Sequence, residues 1–74
     1  DRAVAAELPG DADETAHRIA AIRETLEETG LVIGVRGTVD AERAAAARRL
    51  LLESGAFAPV LAAMGWSLDC DAIL

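Results

Sequence analysis

Residues 20–30 read AAIRETLEETG and hold three carboxylates, Glu24, Glu27 and Glu28, behind one arginine, Arg23. On a helix, positions 24, 27 and 28 are i, i+3 and i+4. They project from one face with Cβ atoms about 5–6 Å apart, and like charges so placed repel by roughly 0.2–0.5 kcal/mol per pair. Carboxylates near a helix C-terminus also meet the negative end of the dipole. A hard divalent cation would offset both costs. Mg²⁺ takes oxygen ligands, keeps several waters and commonly bridges to substrate phosphates. The plainer alternative is a solvated acidic face, the usual fate of paired glutamates on a surface helix.

These side chains need a helix to hold them. Asp11 or Asp13 can cap one, with carboxylates in its first turn suiting the dipole. The helix then runs from about residue 14 to 29, and Gly30 stands where a left-handed terminating residue is wanted. Ile19, Ile22 and Leu26 recur at spacings of three and four, an apolar stripe for the core. Upstream, DRAVAAEL at 1–8 forms a short helix that Pro9-Gly10 ends. Downstream, LVIGV at 31–35 is apolar and β-branched and reads as a strand, yet the chain offers it no partner. Thr38 or Asp40 starts a second helix that runs to Gly55. A third begins near Ala56, with Pro59 tolerated in its first turn, and ends at Gly65. SLDCDAIL, from Ser67, reads as a capped turn into another helix, with Ser67 or Asp69 as its cap.

Composition fits a mainly α chain. Alanine is abundant, the aromatics are Phe57 and Trp66, and the prolines are Pro9 and Pro59. With 74 residues, such a chain buries only about 60% of its unfolded surface. The formal net charge is -6 and every basic residue is arginine. An acidic chain is a poor match for phosphate neutralisation, so no nucleic-acid partner is expected. Apolar runs fall far short of the roughly 20 residues of a membrane helix, so no membrane partner is expected either. The single cysteine, Cys70, permits no internal disulfide and fits a reducing, cytoplasmic setting. His17 and Cys70 alone cannot make a zinc-type cluster. The chain opens without methionine, and CDAIL stops inside an apolar pattern, as expected of a segment from a longer chain.

The run R-E-x-x-E-E-x-G, residues 23–30, fixes five positions by type. At roughly 5–7% usage each, a chance match in a chain this long is well below about one in a thousand. It resembles the second half of the Nudix box, whose pattern is G-x5-E-x7-R-E-U-x-E-E-x-G-U, with U a bulky aliphatic residue. Arg23, Glu24, Glu27, Glu28, Gly30 and Leu31 match in register. Three departures stand out. Thr25 occupies the U position, with Leu26 after it, and Thr15 occupies the place of the upstream glutamate, with Glu14 one position early. The upstream glycine position holds Pro9, beside Gly10. RIAAIRETLEETG is similar to the branch of peroxisomal coenzyme A diphosphatases, in which extra residues interrupt the first half of the box.

The resemblance implies a partial Nudix domain over residues 1–74. The box helix region would cover 11–31 and a helical insert 36–74. The fold would be a mainly α piece of an α/β/α sandwich with most of its sheet missing, and this piece alone would be inactive. It further implies a Mg²⁺- or Mn²⁺-dependent diphosphohydrolase acting on a nucleoside diphosphate-linked small molecule, with coenzyme A or its derivatives as the named expectation. Glu24, Glu27 and Glu28 would be the metal ligands, Glu28 or Glu27 the general base, and Arg23 an orienting partner of a box glutamate. Gly30 would be the structural turn. A homodimer is compatible with all of this.

The other polar residues have plainer readings. His17 lies about 10 Å along the helix from Glu24, too far to share a metal shell, and is expected to be exposed or capping. Glu14 pairs with Arg18 or approaches the metal. Arg43, Arg48 and Arg49 form a solvated face, with phosphate contact as the alternative. Phe57 and Trp66 pack the helices. Cys70, between Asp69 and Asp71 with no base beside it, is a poor nucleophile. Two further functions compete with the hydrolase: a non-catalytic helical interaction module, and a Nudix-like sensor that binds a nucleotide without cleaving it.

Overall fold

The computed structural model describes residues 2–6, 8 and 10–69. Six elements follow one another: α1 (Arg2–Ala5), α2 (Ala12–Thr29), β1 (Val35–Arg36), α3 (Ala41–Ser54), α4 (Ala58–Met64) and β2 (Ser67–Leu68). The chain is mainly helical, as its composition indicates. The first helix is shorter than the sequence suggests and closes in a turn, with Leu8 N–H donating to Ala5 O at 3.0 Å.

Local chemistry sets the helix ends. The Asp11 carboxylate accepts from the backbone N–H of Asp13 at 2.9 Å and of Glu14 at 3.4 Å. Of the two expected caps, Asp11 is the one used, and α2 starts at Ala12, two residues before the expected start near residue 14. Gly30 sits at φ 76°, a left-handed position that a Cβ would strain, and its N–H bonds to Leu26 O. Asp40 caps α3 by accepting from Arg43 N–H at 2.7 Å. Phe57 stands at the start of α4 without a side-chain cap, and Pro59 lies in that helix's first turn. Gly55 and Gly65 close α3 and α4 as Gly30 closes α2.

One buried stripe organises the molecule. Thr15, Ile19, Ile22 and Leu26 face inward from α2 at spacings of four, three and four. Ala47 and Leu51 from α3, Val60 from α4, Ala5 from α1, Phe57 and Trp66 complete the core. Each large side chain so buried contributes about 1.5–3 kcal/mol. Phe57 and Trp66 therefore pack the helices, as their type suggests.

The segment 31–35 corrects the sequence reading in two ways. Only its last residue is strand, because Gly34 turns the chain at φ 71° just before β1. And the strand has a partner. β1 pairs antiparallel with β2, Val35 opposite Leu68 and Arg36 opposite Ser67. Asp69 N–H extends the ladder to Gly34 O at 2.9 Å, and Arg36 Nη2 meets Asp69 Oδ1 at 3.2 Å. Ser67 is thus a strand residue rather than a helix cap. The turn at Gly65 brings the chain back beside β1, which a helix starting at Ser67 could not do. Among the described residues the segment after 36 accordingly holds α3, α4 and then the strand β2. The helix expected beyond Asp69, and Cys70 with it, lies outside the described residues.

Candidate functional site

The last two turns of α2 present the carboxylates. Arg23 lies between two of them: its Nη1 contacts Glu27 Oε2 at 2.8 Å, and its Nη2 lies 4.0 Å from Glu24 Oε1. The Glu24 side chain keeps 60% of its exposure and that of Glu27 32%. Glu28 is exposed. The arginine therefore fixes Glu27 by a charge-assisted bond and leaves Glu24 and Glu28, four residues apart, facing solvent on one side of the helix.

The same turns are braced from elsewhere. Thr25 Oγ1 donates to Ala21 O at 2.8 Å, so the hydroxyl at the aliphatic position of the pattern is satisfied within its own helix. Leu26, one place on, is the residue that enters the core. Thr29 Oγ1 donates to Thr25 O at 2.6 Å and accepts from Leu31 N–H at 3.2 Å, tying the helix end to the following loop. Arg48, on α3, donates from Nε to Glu27 O at 2.9 Å.

The upstream residues stay apart. Thr15 is 1% exposed and faces the core. Glu14 pairs with Arg18 at 2.7 Å. It lies ten residues, about 15 Å, along the helix from Glu24, and does not approach the carboxylate turn. His17 is exposed.

Among the described residues no three His, Cys, Asp or Glu side chains converge to hold a metal ion. Mg²⁺, however, is commonly bound through one or two carboxylates, with waters and substrate phosphates filling its remaining positions. Glu24 and Glu28, both exposed and four residues apart on α2, are the carboxylates that would meet such an ion. The donors are all oxygen, which suits Mg²⁺ or Mn²⁺ over softer metals.

A groove of about 760 Å³ opens where α2 ends, lined by Gly30, Leu31, Val39, Arg48, Arg49 and Leu52 among others. Its size falls within the roughly 300–1,000 Å³ of small-molecule sites. Leu31 and Leu52 are each 61% exposed there. Arg48 joins the groove to the carboxylate turn, since it lines one and bonds to the other.

The remaining arginine of interest is spent on structure. Arg43 donates from Nε to Thr38 O at 3.0 Å and from Nη2 to Met64 O, and its guanidinium lies 5.9 Å from the centre of the Trp66 ring. Trp66 Nε1 donates to the same Thr38 oxygen at 2.8 Å. Reading the arginines as a solvated face misses this clip and the Arg48 contact. A signal for the second was present: the last turn of α2 holds no basic residue, so its carbonyls lack a cation of their own.

Compared with known proteins, the chain matches no family model, no curated protein and no solved structure. No helix among the described residues is long and apolar enough to cross a membrane.

Proposed function

We propose that this chain carries the metal-binding helix of a Nudix-type diphosphohydrolase that cleaves the diphosphate linkage of a nucleoside diphosphate-linked small molecule. The observation that supports it most is the Arg23–Glu27 pair inside R-E-x-x-E-E-x-G, closed by left-handed Gly30. That arrangement holds one carboxylate still and leaves Glu24 and Glu28 open. Glu24 and Glu28, with Glu27 beside them, would hold Mg²⁺ or Mn²⁺. The bound ion supplies charge neutralisation of the diphosphate and a lowered pKa for the attacking water. Glu28 would serve as the proton acceptor for the water, Arg23 would orient Glu27, and the groove beside Gly30 would receive the group linked to the diphosphate. Coenzyme A or a derivative is the particular substrate proposed, and a cytoplasmic location goes with it. A Nudix sandwich needs a larger sheet than the two short strands described, so turnover is expected of a longer protein that contains this segment.

The alternative is a helical interaction module or a nucleotide sensor without turnover. It is favoured by the lack, among the described residues, of three converging metal-binding side chains. Incubating a longer protein that contains this segment with coenzyme A, NADH, ADP-ribose and nucleoside triphosphates, with and without Mg²⁺ or Mn²⁺, separates the two. Metal-dependent release of a phosphorylated product, lost in Glu28→Gln, supports the hydrolase. Binding without cleavage, or neither, supports the alternative.

A further inference from the structure

Among the described residues four large apolar side chains are exposed, and three of them, Leu31, Val39 and Leu52, line the groove beside Gly30. Apolar surface gathered in this way marks a contact with another molecule. The charged lining says which kind. Asp40 caps α3 and Arg48 donates to Glu27 O, so both are engaged. Glu42 and Arg49 are exposed, and neither side chain makes a hydrogen bond or ion pair among the described residues. They lie seven residues apart on α3, about 10 Å along the axis and too far to pair with each other. Ala45 is exposed between them and Leu52 beyond them, so Glu42, Ala45, Arg49 and Leu52 form one exposed stripe at spacings of three, four and three. All four line the groove.

We infer that this stripe is the contact face of a homodimer, in which α3 of two copies packs antiparallel about a two-fold axis. Such a contact is self-complementary: where residue i meets j, j meets i. Glu42 and Arg49 stand equally far in sequence from a point between Ala45 and Ala46. An axis there sets Glu42 of each copy against Arg49 of the other, and both charges find partners. Val39 and Leu52 stand equally far from the same point, so exposed apolar side chains meet beyond each ion pair. Ala45 at the crossing lets the helices approach toward the lower end of the usual separation of about 8–10 Å. A ligand of one charge would be repelled at one end of this groove. A second copy run antiparallel offers both charges in reverse order. The inference does not rest on the hydrolase reading, but the two share a groove. A second copy seated there would shut out a substrate's group, so turnover would belong to the dissociated chain.

Charge reversal tests the pairing. Sedimentation equilibrium over a wide range of concentration is measured on the protein, Glu42→Arg and Arg49→Glu, with helicity checked by circular dichroism. Both positions are exposed, so each variant should fold. The unaltered protein is expected to pass from the mass of one chain to that of two as concentration rises. Either single reversal sets like charges opposite each other at both contacts and should weaken association at least about 10-fold. The combined reversal Glu42→Arg/Arg49→Glu restores opposite charges and should recover the dimer. Mixing the two single variants should do the same. A chain that stays single at every concentration overturns the proposal, as does a dimer indifferent to either reversal or one that the combined reversal fails to recover. Uptake of anilinonaphthalene sulfonate by a single chain, lost in Leu52→Ser, would assign the groove to a small molecule and overturn it equally.

Discussion

Arg23 and Glu27 face each other one helical turn apart, with 2.8 Å between Nη1 and Oε2. Both side chains keep a quarter to a third of their exposure, so the pair contributes below about 1 kcal/mol to stability. Its weight lies in orientation. In a longer protein that contains this segment and turns over, Arg23→Met is expected to lower kcat about 10- to 100-fold, the usual cost of losing a residue that orients a ligand, with little change in Tm. Steady-state kinetics and a thermal melt on the same sample check both halves. A large drop in Tm with kcat preserved would make the pair structural.

The upstream half of the box gives an opposite test. Thr15 occupies the place of a glutamate in the family pattern, yet it is buried against the core beside Ile19. Thr15→Glu would bury an unpaired carboxylate, at about 3 kcal/mol or more. It should therefore destabilise the protein and add nothing to metal affinity. Glu14→Gln, at an exposed site paired only locally with Arg18, should leave Mn²⁺ affinity unchanged. Urea unfolding and calorimetry distinguish these outcomes.

The helix ends and the inward stripe were legible because they are local. Asp11, Asp40, Gly30 and the spacing of Ile19, Ile22 and Leu26 carry their own signals. Pairing of Val35–Arg36 with Ser67–Leu68 was not legible. Two residues per strand leave no alternation to detect, and the partners lie more than thirty positions apart. The partners of Arg43 and Arg48 were hidden for a related reason, although the lack of a basic residue in the last turn of α2 signalled that some cation was wanted there. An arginine that donates to a distant carbonyl has the same sequence context as one in solvent, and only the fold shows that Thr38, Met64 and Glu27 oxygens are within reach. Of the candidate site, the Arg23–Glu27 contact follows from i, i+4 spacing, whereas the brace from α3 does not.

Gly37 tests how the two strands close against the helices. It sits at φ 131°, and a Cβ there would lie 2.7 Å from Trp66 Cδ1. Trp66 cannot move freely, since its Nε1 is bonded to Thr38 O and Arg43 lies over its ring. Gly37→Ala is expected to destabilise by about 1–3 kcal/mol, as overpacking does. Trp66 is the sole tryptophan, so its fluorescence should shift to longer wavelength as the ring is displaced toward water. An unshifted spectrum with unchanged stability would show the contact to be loose.

The measurement that bears most directly on function is Mn²⁺ binding by calorimetry to the protein and to Glu24→Gln/Glu28→Gln. Both glutamates are exposed on α2, so the double variant should fold normally. Saturable binding to the unaltered protein, lost in the double variant at unchanged helicity, is the predicted result. Equal binding by both, or none by either, would contradict the assignment of Glu24 and Glu28 as the cation's ligands.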